Sequence, residues 1–212
     1  MENRQNTILL RCSRPNNMFE KIKAYFKQTM PFTDMELELV DKYFKAQSLT
    51  KNEYLLQDNK KCDFISFLET GTVRHFHIKD GVEITCDISF ENSWVTDFQS
   101  FNYGTITAIN LQALEKTTVN TIYKPDLFQL YQECNRYESF GRLMAEKTAQ
   151  RATEIAMVLS SSKPEERFEI LIEKRPGLFQ RVPQKYIANM LGISPESLSR
   201  IKKRMYYNRS KS

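Results

Sequence analysis

The sequence predicts an α+β protein of two unequal parts, an N-terminal β-rich roll and a smaller C-terminal helical unit, joined by one long helix. Three observations carry that expectation. Residues 64–88 hold short strand-like runs with an Asp80-Gly81 turn; residues 137–161 repeat apolar side chains every three or four positions; residues 182–204 contain two helical patterns around Gly192, followed by a basic cluster. With 212 residues, 41% of them hydrophobic, the chain can bury one moderate and one small core.

In chain order, residues 1–17 form a polar and basic tail, interrupted only by Ile8-Leu9-Leu10. Met18–Phe26 and Asp34–Phe44 read as helices that precede the roll. Strands are expected at Phe64–Leu68, Val73–Ile78 and Val82–Ile88, the last two closed into a hairpin by Asp-Gly, which accepts the positive φ angles of a two-residue turn. Gly71 sits between the first two, where a tight turn is needed. Further β-rich segments at Thr105–Leu111 and Thr117–Tyr123 precede a helix started by Pro125. Several short strands bounded by helices suggest a double-stranded β-helix, or jelly roll, over residues 18–135. In the helix of residues 136–162, Phe140, Met144, Thr148, Ala152, Ile155 and Leu159 share one face, and the small Thr148 and Ala152 would let a second copy approach closely. Ser160-Ser161-Ser162-Lys163-Pro164 breaks that helix and reads as a hinge. A further helix runs from Pro164 through Phe168, Leu171 and Ile172 to Pro176-Gly177, opening the domain of residues 163–212.

The helix pair of residues 182–204 is locally specified at both ends. Pro183 suits a first helical turn; Tyr186, Ile187, Met190 and Leu191 make an apolar face; Gly192 supplies the left-handed residue that closes the helix. Ser194 caps the next helix and Pro195 occupies its first position. There Leu198, Ile201 and Met205 face a core, leaving Glu196, Ser199, Arg200 and Lys203 outward. Arginine can grip guanine O6 and N7 together, and a carboxylate can accept from cytosine N4, so Glu196 and Arg200 are the candidate base readers. As an isolated pair they could equally form a helix-surface salt bridge. Gln184, Ser194, Ser197, Lys202, Lys203 and Arg204 are the candidate phosphate contacts.

Charge supports the same end of the chain. Residues 163–212 carry 12 Lys or Arg against 5 Asp or Glu, a balance of +7, whereas the whole chain is +5, so the preceding residues are net −2. A localised basic patch attracts the phosphate backbone. No stretch is long enough to span a membrane and no signal-peptide pattern opens the chain, so a bacterial cytoplasm is the expected location.

These residues resemble a known family, the Crp/Fnr transcription regulators. Glu196, Ser199 and Arg200 match the Glu-x-x-Ser-Arg recognition pattern of its Fnr-like branch, and Phe67-Leu68-Glu69-Thr70-Gly71-Thr72-Val73 is similar to its strand-glycine-strand element. The resemblance implies a cyclic-nucleotide-binding-like sensory roll, a parallel dimerisation helix and a winged-helix-like reader acting as a homodimer on palindromic double-stranded DNA. It also implies that Glu196 and Arg200 read a thymine-guanine-adenine half-site core while Ser199 tunes a neighbouring pair, with RNA polymerase as a further partner. Pro195 stands where the Crp branch has a contacting arginine, which argues against a Crp-like half-site. Only residues 206–212 follow the reader, so the wing is expected to be short or absent.

The roll gives weaker signals. The family's phosphate-binding glycine-glutamate segment corresponds to residues 92–98, and its arginine-serine strand to residues 105–110, which contain no cation. Without one, burying a cyclic phosphate is costly, so cAMP is not expected. Gly71, Trp94, Phe98, Phe101 and Tyr103 are instead the candidate pocket for an unidentified small-molecule effector. Cys12, Cys62, Cys86 and Cys134 lack the clustered spacing of an iron–sulfur or zinc site, so no such cofactor is expected. His75 and His77 share a strand face as in cupin metalloenzymes, making a cupin-like metal-binding enzyme or sensor with a DNA-binding appendage the rival reading. No nucleophilic triad, P-loop or dinucleotide fingerprint is present, and no catalytic residue is assigned.

Overall fold

A computed structural model describes residues 19–161, 163–175 and 177–209, with the side chains of 158–161 and 206–209 outside the description. The tail expected at 1–17 therefore falls outside it. Two helices, α1 (Glu20–Thr29) and α2 (Asp34–Tyr43), lead into eight short strands. Helix α2 begins where Thr33 and Glu36 cap each other: the Thr33 amide donates to the Glu36 carboxylate at 2.7 Å, and the Glu36 amide donates to Thr33 Oγ1 at 3.3 Å.

The strands are β1 (Lys45–Leu49), β2 (Tyr54–Leu56), β3 (Phe64–Thr70), β4 (Val73–Lys79), β5 (Val82–Ser89), β6 (Trp94–Val95), β7 (Asn110–Ala113) and β8 (Thr117–Tyr123). They form two four-stranded antiparallel sheets, ordered β1-β8-β3-β6 and β2-β7-β4-β5. Leu68, Val95 and Val119 of the first sheet pack with Leu56, Val73 and Leu111 of the second, so the sheets share one core as a jelly roll does. Asp80 and Gly81 both have positive φ, 53° and 76°, as a two-residue hairpin turn requires. Gly71 has φ 96°, and an added Cβ would lie 2.7 Å from the Cα of Thr117, so the turn closes against β8.

One local expectation is corrected, and two features of the strands were not anticipated. Residues 105–109 are not a strand: Asp97 caps α3 (Phe98–Tyr103), accepting from the Gln99 amide at 3.0 Å, and Thr107 turns back to hydrogen-bond Asp97, delaying β7 to Asn110. β1, mostly polar and exposed, and β2, only three residues long, were not read from the sequence. Alternation along β5 fails at Cys86, where the pairing slips so that His75 opposes Asp87 while Phe76 opposes Thr85. The bulge buries Thr85 and exposes Cys86, the reverse of their polarity.

The outer face of the first sheet is covered by helices. α4 (Lys124–Glu133), with Pro125 in its first turn, is followed after Cys134 by α5 (Asn135–Ser161). Phe26 sits among Phe32, Tyr137, Phe140 and Trp94, with ring centroids 4.7–6.0 Å apart in tilted or edge-on arrangements that aromatic rings favour. Beyond α5 lie α6 (Pro164–Lys174), α7 (Leu178–Arg181), α8 (Gln184–Met190) and α9 (Pro195–Arg209), built around Phe168, Leu178, Ile187, Leu191, Leu198 and Ile201. Ile88 and Leu114 of the roll join that cluster, so the C-terminal helices are docked on the roll. Among the described residues no strand follows α9, and no helix is long and apolar enough to cross a membrane.

Candidate nucleic-acid interface

Helix α8 ends in a Schellman motif. The Gly192 amide donates to Asn189 O and the Ile193 amide to Ala188 O, both at 3.0 Å, with Gly192 at φ 70°. Two residues later Ser194 Oγ accepts from the Ser197 amide at 3.2 Å and starts α9 at Pro195. This chemistry sets the angle between α8 and α9. Ile187, Leu191, Leu198 and Ile201 fill the space between them, each 4% exposed or less.

Burying Leu198 and Ile201 leaves Glu196, Ser199 and Arg200 exposed together on the opposite face of α9. The carboxyl of Glu196 is held below its usual range by its own backbone amide and the Ser194 hydroxyl, with the Arg200 charge adding to them. It is thus an ionised acceptor at neutral pH. Arg200 donates weakly to Ser197 Oγ at 3.4 Å and is otherwise presented to solvent. Among the candidate phosphate contacts, Gln184, Ser194 and Lys203 are exposed and Ser197 is half-buried. Two others are engaged within the domain: the Lys202 ammonium lies 4.7 Å from the Phe179 ring centroid, and Arg204 pairs with Glu165 at 2.9 Å.

Along α5 the expected seam divides. Phe140 is buried in the aromatic cluster of its own roll, and Met144 Sδ accepts from the Tyr25 hydroxyl at 3.5 Å. Thr148, Ala152 and Ile155 are exposed, while the side chain of Leu159 lies outside the described residues. Helical spacing places all six on one side but does not say which neighbour covers each turn. The proposed effector residues also separate. Trp94 and Phe98 line a cavity of about 250 Å³ between the roll and α5, whereas Phe101 is buried in the core, Tyr103 is 80% exposed and Gly71 belongs to the β3–β4 turn.

The side chains that seat the reader on the roll were missed by sequence reasoning. Arg74 is 1% exposed on its side chain, stacked between Phe76 and Tyr186 at 4.1 and 3.8 Å from their centroids and paired with Glu83 at 2.6 Å. Asn189 Oδ1 accepts from the Thr85 amide. Arg181 donates to both oxygens of Glu91, at 2.6 and 2.8 Å, and its Nε donates to Glu115 at 3.1 Å. Those Arg181 bonds, foremost, hold the Glu91 carboxyl down at about 2. Asp87 meets Arg151 of α5 at 2.7 Å and Arg175, just after α6, at 3.0 Å. Burial would raise the Asp87 carboxyl, but Arg175, His75 and Arg151 outweigh it and hold it low. The only available signal was a cation, Arg74, within an alternating strand.

The two histidines have partners inside the hairpin. His75 Nε2 lies 2.9 Å from Ser89 Oγ, and His77 Nδ1 lies 3.1 Å from Cys86 Sγ. Burial lowers the His75 pKa against the opposing pull of Asp87. Among the described residues no group of three or more His, Cys, Asp or Glu side chains could hold a metal ion.

A jelly roll, a long helix and a docked helix-turn-helix define the Crp/Fnr class of fold, and comparison with solved structures shows that fold. FixK2 from Bradyrhizobium japonicum superposes with a TM-score of 0.67 at 16% identity, over 78% of this chain and 85% of that one. A mutant of CooA from Carboxydothermus hydrogenoformans gives 0.62 at 16%, over 92% and 86%. A Eubacterium rectale protein assigned to the Crp/Fnr family of transcriptional regulators gives 0.63 at 15%, over 87% and 88%. No protein-family profile and no curated protein sequence matches the chain.

Proposed function

We propose that this chain is a sequence-specific DNA-binding transcription regulator of the Crp/Fnr type that acts as a homodimer on palindromic sites. The observation that carries the reading is the outer face of α9. An ionised Glu196, Ser199 and Arg200 stand exposed one turn apart on a helix whose start and whose angle to α8 are set by Gly192 and Ser194. Such a helix fits the major groove, where Arg200 would take guanine and Glu196 cytosine N4. Gln184, Ser194, Ser197 and Lys203 would position the backbone; Lys202 and Arg204 would have to leave Phe179 and Glu165 to do so.

Two readers need placing at half-site spacing by a two-fold axis. The exposed Thr148, Ala152 and Ile155 stripe of α5 offers that axis. RNA polymerase is the expected further partner, and the cytoplasm the expected location. Selection of binding sites from a random duplex library, with purified protein and no added ligand, tests the reading. Wild type should recover a palindrome with thymine-guanine-adenine half-sites, relaxed at different positions by Glu196→Ala and Arg200→Ala. No enrichment, with or without cell extract, would reject it.

A further inference from the structure

The cleft where roll, long helix and reader meet is a cavity of about 590 Å³, within the ~300–1,000 Å³ range of small-molecule sites. Its floor is apolar: Ile88 and Phe90 from the roll side, Ile155 from α5, Leu171 from α6 and Met190 from α8. Its polar lining is mainly cationic. Three of the lining cations are neutralised in place, Arg151 and Arg175 on Asp87, and Lys174 on Glu154 at 3.4 Å. Two are not. Among the described residues, Arg167 has its Nε buried with no hydrogen-bond partner, and Lys147 makes no hydrogen bond or ion pair. A buried charged donor left unmet is an unfavourable state that a ligand anion would relieve.

We infer that this cleft is a binding site for an anionic amphiphile, a small apolar body with a carboxylate or phosphate head, whose head is taken by Arg167 and Lys147. The body lies against Ile88, Phe90 and Leu171. Because the walls come from the roll, α5 and the reader together, an occupant holds the docked arrangement, and any effect on DNA rests on the function proposed above. The site adjoins the roll–α5 cavity lined by Trp94 and Phe98, with Ser93, Lys147 and Arg151 on the shared boundary, and Arg167 belongs to this cleft alone of the two.

Calorimetry on the full chain, without DNA, tests the binding independently of the DNA reading. Decanoate and decyl phosphate are the two head-group probes, and decan-1-ol the uncharged control. The expected result is saturable binding of one probe anion per chain, at least about tenfold weaker for decanol and for Arg167→Met, the latter keeping bulk while removing charge. The preferred anion identifies the natural head group. If Arg167→Met fails to fold by circular dichroism, the exposed Lys147→Met decides by a loss of several-fold. No saturable binding of either anion below about 1 mM, or equal binding by decanol or by the folded variants, overturns the proposal.

Discussion

Exposure decides what each polar residue of the reader can do. Arg200 and Glu196 lie on the surface of α9 with their apolar neighbours already buried. Arg200→Ala should therefore leave stability within about 0.5 kcal/mol while removing about 1–3 kcal/mol of discrimination at one base pair, measured by competition between single-mismatch duplexes. Gly71 is the contrasting case. With φ 96° and Thr117 backbone 2.7 Å from any added Cβ, Gly71→Ala should cost about 3 kcal/mol in a urea unfolding experiment, because both the backbone conformation and the packing resist it. Residues whose role is local were legible in the sequence: Gly192, Ser194 and Asp80-Gly81 each act within a few positions of themselves. Arg175 and Arg181 were not, since their partners stand 66–90 residues away, and Arg74 pairs with Glu83 on the neighbouring strand.

At the scale of elements, α5 performs two jobs in succession. Its first turns, through Tyr137, Phe140 and Met144, close the aromatic core of the roll; its middle, from Thr148 to Ile155, leaves that core and faces solvent. If the middle is the dimer seam, Ala152→Glu places two carboxylates against each other across the axis. The expected outcome is a monomer by sedimentation equilibrium, with an unchanged circular dichroism spectrum and roughly 100-fold weaker binding to a palindromic site. A dimer that persists would move the seam elsewhere. Helix existence and extent were readable here because the apolar period is long and uninterrupted. Strand placement was less so: the bulge at Cys86 and the Asp97–Thr107 bond rearrange segments whose composition alone reads as plain strand.

For the whole molecule, docking of the reader on the roll is electrostatic at its rim and apolar at its centre. Ile88 and Leu114 extend the reader's core, while Arg181 holds Glu91 and Glu115 and Arg175 holds Asp87 around it. Glu91 has its pKa depressed to about 2, so its contribution is fully present above the ordinary carboxylate range near 4.5 and is lost as pH falls from there through about 2. Its side chain is close to one-third exposed, which reduces the contribution to roughly 1–2 kcal/mol. Urea midpoints taken from pH 6 down to pH 3 should therefore decline more steeply for wild type than for Arg181→Ala, in which that pairing is absent at every pH. Parallel declines would show that the pair contributes nothing to docking.

What the sequence by itself determined is the long helix, the β4–β5 hairpin, and the local geometry of the α8–α9 turn. Capping residues, turn glycines and apolar periods act over a few positions, so they can be read along the chain. The helix-turn-helix and most of the roll were accessible in that way. Tertiary structure alone decided which half of α5 the roll covers, which proposed pocket residues share a cavity, and how the reader is seated. Those outcomes depend on distant surfaces meeting: a bulge that turns Thr85 toward Asn189, and arginines that find carboxylates across a domain boundary. No local pattern encodes such a meeting, because its free energy comes from contacts that exist only once both domains have folded.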